Sequence, residues 1–152
     1  MALTKVVEYT GVPLDTVIDY TPLPLLWEDG GLSFVALQTG KALRAEGAAM
    51  HHCVASYWQN VVEGRSRIYS IVENGRRVAT LELTGRLTQY KGPNATLTAS
   101  VRDIGQRGRY QTSQLVGACN SRPAPGVAKV VGTFVEEINN RVQVATTAGA
   151  ID

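Results

Sequence analysis

The stretch SRIYSIVENGRRVATLEL (66–83) constrains the fold more than any other part of the chain. Two apolar runs flank Asn74-Gly75, a dipeptide suited to the left-handed conformation that both central residues of a type I′ turn require. An antiparallel β-hairpin follows, so any fold for this chain must contain an antiparallel sheet. In the second strand Ala79, Leu81 and Leu83 share one face, and Val78, Thr80 and Glu82 share the other. The leucines take the core, which turns Glu82 away from it, toward solvent or a site.

Other segments fit around that hairpin. LSFVALQ (32–38) reads as a short strand. Thr39 is placed to cap a helix over 40–46, and Gly47 to end it. In AAMHHCVASYWQ (48–59), Met50, Cys53, Tyr57 and Val61 recur at helical spacing, with His52, Ser56, Gln59 and Glu63 on a neighbouring polar face and Gly64 as a stop. RLTQYKG (86–92), TLTASVRDI (96–104) and RYQTSQLVG (109–117) read as further strands. GVAKVVGTFVEEINN (126–140) has the apolar spacing of an amphipathic helix lying on the sheet.

A chain of 152 residues suits one domain. The expected class is α+β: two N-terminal helices, an antiparallel sheet of four to five strands, and a closing C-terminal helix. Residues 1–31, with Pro13, Pro22 and Pro24, read as an irregular lead-in with one short helix near Leu14–Tyr20. The compact domain is expected over 32–142, and residues 143–152 are expected to fray.

Composition excludes several classes. Two cysteines make no disulfide framework, no basic-then-apolar leader opens the chain, and no apolar run approaches the length of a bilayer span. The expectation is a cytoplasmic protein with reduced thiols that does not engage a membrane. Charge is unevenly spread. Residues 65–122 hold ten Lys or Arg against three acids, about +7, while the whole chain is only +2. Such asymmetry suits an anionic partner, nucleic acid included, and equally suits arginines on the solvated face of a sheet.

Several motifs fall together at family spacing. They are Glu46-Gly47, Met50, His52-Cys53-Val54, Ser56-Tyr57, Gly64, Tyr69-Ser70 and Thr80-Leu81-Glu82, followed by Gln114, Gly117, Asn120 and Pro123 in QLVGACNSRP. Over roughly residues 32–140 the chain resembles the PcfJ-like family, named from a conjugative-plasmid protein and scattered through plasmids, integrated elements and phages. The resemblance implies a fold and a setting in mobile-element biology more than it implies an activity. It also implies that residues 85–108 are a family-variable hairpin insertion. The earlier QYKGPN (Gln89, Gly92, Asn94) misses the Asn spacing.

The polar residues support three chemistries. Glu46, His52, Ser56, Tyr69, Glu82, Gln114 and Asn120 could line a pocket where helix crosses sheet. Such side chains hydrogen-bond a nucleobase, a ribose or a peptide group, with Arg67 and Arg122 among the cations available for phosphate. The same residues also suit a buried network that only fixes helix on sheet. A second chemistry is nucleophilic, with Cys53 as nucleophile, His52 or His51 as base and Asn120 as orienter. Against it, neighbours on a helix point about 100° apart, and Cys53 also fits the core stripe. A third function, docking on a host or plasmid-encoded protein, needs no residue signature. Cys-x-x-Cys and His-x-x-x-His spacings are missing, so neither metal nor cofactor is expected.

Overall fold

The computed structural model describes residues 11–52, 57–84, 111–117 and 121–151. The strands expected at 86–92 and 96–104 lie outside them. Five antiparallel strands run in sequential order: β1 (Leu26–Asp29), β2 (Leu32–Ala36), β3 (Ser66–Glu73), β4 (Arg76–Thr84) and β5 (Gln111–Val116). Two helices, α1 (Gly40–Met50) and α2 (Trp58–Val62), lie between β2 and β3, and α3 (Pro125–Ile151) follows β5. The class is α+β, as the patterning requires.

The β3–β4 hairpin turns at Asn74 (φ 51°) and Gly75 (φ 77°), the two positive φ values of a type I′ turn. Its register pairs Tyr69 with Leu81 and Ile71 with Ala79. Phe34 lies opposite Ile71, and Trp27 opposite Phe34. Alternation therefore puts these residues on one face, which α3 covers with Val127, Val131, Phe134 and Ile138. Phe134 is the hub. Its ring lies 4.7 Å from Phe34 and 5.0 Å from both Trp27 and Tyr69, in tilted and edge-on arrangements.

Four features depart from expectation. The segment 14–20 forms no helix; it makes a turn at Pro13–Thr16 and then runs extended alongside Gln38. The lead-in also supplies β1, through a tight turn at Gly30 and Gly31, and buries Leu14, Tyr20 and Leu23 in the core. Gly47 does not end α1. The helix runs to Met50, and His51 takes the left-handed cap conformation (φ 53°, ψ 49°). The two expected helices are present, but they divide at His51 rather than at Gly47, so Met50 belongs to α1 and Val61 to α2. Finally, the helical path of α3 extends to Ile151, through residues expected to fray; no proline interrupts it.

Tyr20 ties the lead-in to the sheet. Its hydroxyl donates to Leu37 O (2.7 Å) and accepts from Ile68 N (3.1 Å). Burial pushes its phenol up to about 12, against the opposing pulls of the Ile68 backbone and Arg67. The folded value exceeds the ordinary value of about 10, so the folded state holds a proton that the unfolded state releases between these limits. Stability is full below pH 10 and falls by about 2 kcal/mol as pH rises toward 12. Urea unfolding at stepped alkaline pH will show this loss, and Tyr20→Phe will be less stable at neutral pH but flatter above pH 10. Phe134→Ala should cost about 3–5 kcal/mol in the same assay.

Candidate functional site

The second face of the sheet is covered and mixes polar side chains with the buried Ile68, which lies opposite Glu82. Ser66 and Ser70 on β3, and Thr80 and Glu82 on β4, alternate with the core residues, and each is less than a tenth exposed. So Glu82 does point away from the aromatic core, but beneath the helices rather than into open solvent.

The centre of this face is Glu46 of α1, which is fully buried. Thr80 Oγ1 donates to Glu46 Oε2 at 2.5 Å, and Arg77 Nε donates to Glu46 Oε1 at 2.9 Å. His52 Nε2 lies 2.8 Å from Thr80 Oγ1. The Thr80 proton is committed to the carboxylate, so Oγ1 must accept from His52. Neutral His52 therefore carries its proton on Nε2. The left-handed cap at His51 delivers that ring: by ending α1 abruptly, it turns His52 down onto β4. The result is a continuous relay, His52–Thr80–Glu46–Arg77. Arg77 ends it with a side chain 42% exposed.

Next to the relay, Ser66 Oγ donates to Glu82 Oε2 at 2.6 Å. Among the described residues the buried Ser70 hydroxyl has no hydrogen-bond partner. It sits on β3 directly opposite Thr80. Gln114 on β5 is exposed and opposite Glu82 in register.

Of the residues singled out in the sequence, Glu46, His52, Glu82 and Gln114 thus share this face. Tyr69 does not. It lies on the aromatic side, fully buried, with its hydroxyl donating to Pro24 O at 2.7 Å. Arg67 is also drawn inward. Its guanidinium donates to Val61 O and Ser66 O and lies 4.9 Å over the Tyr20 ring. Arg122 is exposed, in the extended stretch before α3. Cys53, Ser56 and Asn120 lie outside the described residues. Sequence reasoning missed Thr80 and Arg77. Thr80 had a visible signal, since it shares a strand face with Glu82 and lies in the Thr80-Leu81-Glu82 motif; Arg77 counted only among the ten basic residues of 65–122. Among the described residues no three His, Cys, Asp or Glu side chains group as metal ligands, and no helix is long and apolar enough to cross a membrane.

Together these features define a helix-covered antiparallel meander with a polar relay under its first helix. A family model described as PcfJ-like protein matches residues 16–104, more than half of the chain, and the protein belongs to the PcfJ-like family. The match takes in β1 and the whole relay. It ends before Gln114, Gly117, Asn120 and Pro123, whose link to the family rests on their spacing alone. No curated protein and no solved structure matches the chain.

The relay makes a direct prediction. Thr80→Val should lower stability by about 1–3 kcal/mol, because Glu46 and His52 both lose a buried partner. Nitrogen-15 NMR of the imidazole should show the Nε2–H tautomer in the native protein and a mixture in Thr80→Val.

Proposed function

We propose that this PcfJ-like domain recognises nucleic acid or a nucleotide-like ligand, serving a mobile genetic element in the cytoplasm. The observation that carries this reading is the relay, which anchors an imidazole and a guanidinium on one buried carboxylate. Arg77 spends its Nε on Glu46, and its two terminal amines remain to grip a phosphate in the fork geometry that guanidinium favours. Pre-anchoring lowers the entropy lost when the phosphate binds. Arg76, exposed beside it, and the basic excess of residues 65–122 add long-range attraction. Arg67 is tied to carbonyls, so phosphate contact falls to Arg76 and Arg77, with Arg122 as a further cation. Ser56 and Asn120 remain proposed ligand contacts by their motif positions.

The fixed tautomer of His52 favours a second reading. A hydrogen-bonded carboxylate orienting an imidazole is the arrangement that supports general-base catalysis. Here a threonine stands between the two. Cys53, the next residue, would be the nucleophile and Asn120 its orienter. Alkylation of Cys53 in the native protein, followed against pH, separates the two readings. An apparent pKa well below the reference of about 8.5 favours the enzyme, and labelling only on unfolding removes it.

The first reading is tested by titrating labelled single-stranded RNA, single-stranded DNA and mononucleotides at stepped salt. Affinity should fall steeply with salt, and Arg77→Ala should weaken binding and reduce the salt slope by about 1. Binding that is absent, or indifferent to salt, would overturn it.

A further inference from the structure

We propose that the free edge of β1 is a docking site for a basic, extended segment of a partner protein, which joins the sheet as a further strand. Three features meet at this edge: unpaired backbone, an acidic cleft on one flank and exposed apolar side chains on the other.

β1 ends the sheet, and among the described residues no strand lies beyond it. Ala36 N donates to Leu25 O at 2.9 Å, and β1 then pairs with β2 in unbroken register from Leu26 to Asp29. Backbone groups point alternately to either side along an antiparallel strand. Leu25, Trp27 and Asp29 therefore turn their N–H and C=O groups to β2, and Leu26 and Glu28 turn theirs outward. Such an edge is a template for another chain in extended conformation.

The two flanks decide which chain fits. On the aromatic side, β1 and α3 enclose a cleft of about 420 Å³. Trp27, Asp29, Thr133, Glu136 and Glu137 line it, and the described lining residues include no lysine or arginine. Glu137 accepts from Trp27 Nε1, which holds the indole at the cleft wall. A cation entering there meets carboxylates and an aromatic ring together. On the other side the helices cover β3 and β4 but leave the first strands open. Leu26 is 56% exposed, and Val35, its partner in register, is 38% exposed. Side chains of an added strand alternate between the same two flanks. Those opposite Trp27 and Asp29 reach the acidic side and are best filled by Arg or Lys. The one opposite Leu26 lies beside exposed aliphatic surface and is best filled by an aliphatic residue.

Charge complementarity fixes the occupant. The acids of this edge, with Glu28 beside them, repel phosphate, so nucleic acid does not compete for it. A second copy of the chain pairing edge to edge would crowd the acids of both copies together. A segment alternating cationic and aliphatic residues satisfies the backbone, the cleft and the apolar flank at once.

The test is a fluorescence-anisotropy titration of the full chain with a labelled peptide alternating arginine and valine, against a control alternating glutamate and valine. The arginine peptide should bind with an affinity that falls with salt, and the control should not bind. Asp29 and Glu136 are both exposed, and Asp29→Asn combined with Glu136→Gln should weaken binding about tenfold. Amide hydrogen exchange at Leu26 and Glu28 should slow on binding, while that of Trp27 and Asp29, already turned to β2, stays unchanged. In the expected register the peptide's valine amides bond to β1 and its arginine amides point away. N-methylation of the valine amides should abolish binding, and N-methylation of the arginine amides should spare it. Failure of the arginine peptide to bind, equal binding of the control, or equal loss on methylating either set of amides would overturn the docking site. Concentration-dependent dimerisation that protects Leu26 and Glu28 without peptide would assign the edge to a second copy and overturn the partner.

Discussion

The architecture of this domain turns on the burial of one carboxylate. Glu46 lies beneath α1 with no exposure, and a charge in that position is tolerable only with matched donors on both oxygens. Thr80 and Arg77 provide them from β4. The pairing therefore fixes the rotation of α1 about its axis and its position along the strand. It also fixes His52, because the hydroxyl that serves Glu46 also receives the imidazole. A helix held only by apolar contacts could slide by a turn at modest cost. One held through a short, charge-assisted bond at the centre of its footprint cannot.

The two faces of the sheet divide labour accordingly. The aromatic side supplies cohesion, with Phe134 inserted among Trp27, Phe34 and Tyr69. The polar side supplies register and chemistry. This separation explains why two residues that look functional in the sequence are structural in the fold. Arg67 and Tyr69 are the second and fourth residues of β3 and share Leu81's side of the pleat rather than Glu82's. Tyr69 completes the ring cluster, and Arg67 lies on Tyr20 at the edge of the core.

Legibility followed the range of the interactions. The β3–β4 hairpin is announced by Asn-Gly, and α3 by an apolar stripe four turns long, because both signals are local. β1 escaped notice because four residues beside a run of prolines carry too little periodicity, and its partner β2 supplies most of its definition. The end of α1 was misread because a glycine sits where a cap is usual, whereas the chain reverses at His51. Within the candidate site, Glu46, His52 and Glu82 stood out as motif residues. Thr80 belongs to the same motif as Glu82, but its part in the site, like that of Arg77, shows only once a buried acid is found opposite them.

The sequential order of the meander has an evolutionary corollary. β4 ends at Thr84, and β5, which begins at Gln111, is its immediate neighbour in the sheet. Their pairing is written in the two strands themselves, through the register that sets Leu81 against Leu115 and Glu82 against Gln114. Neither the relay nor the aromatic cluster takes a side chain from β5. Substitutions on that last strand can therefore accumulate with the least disturbance to either.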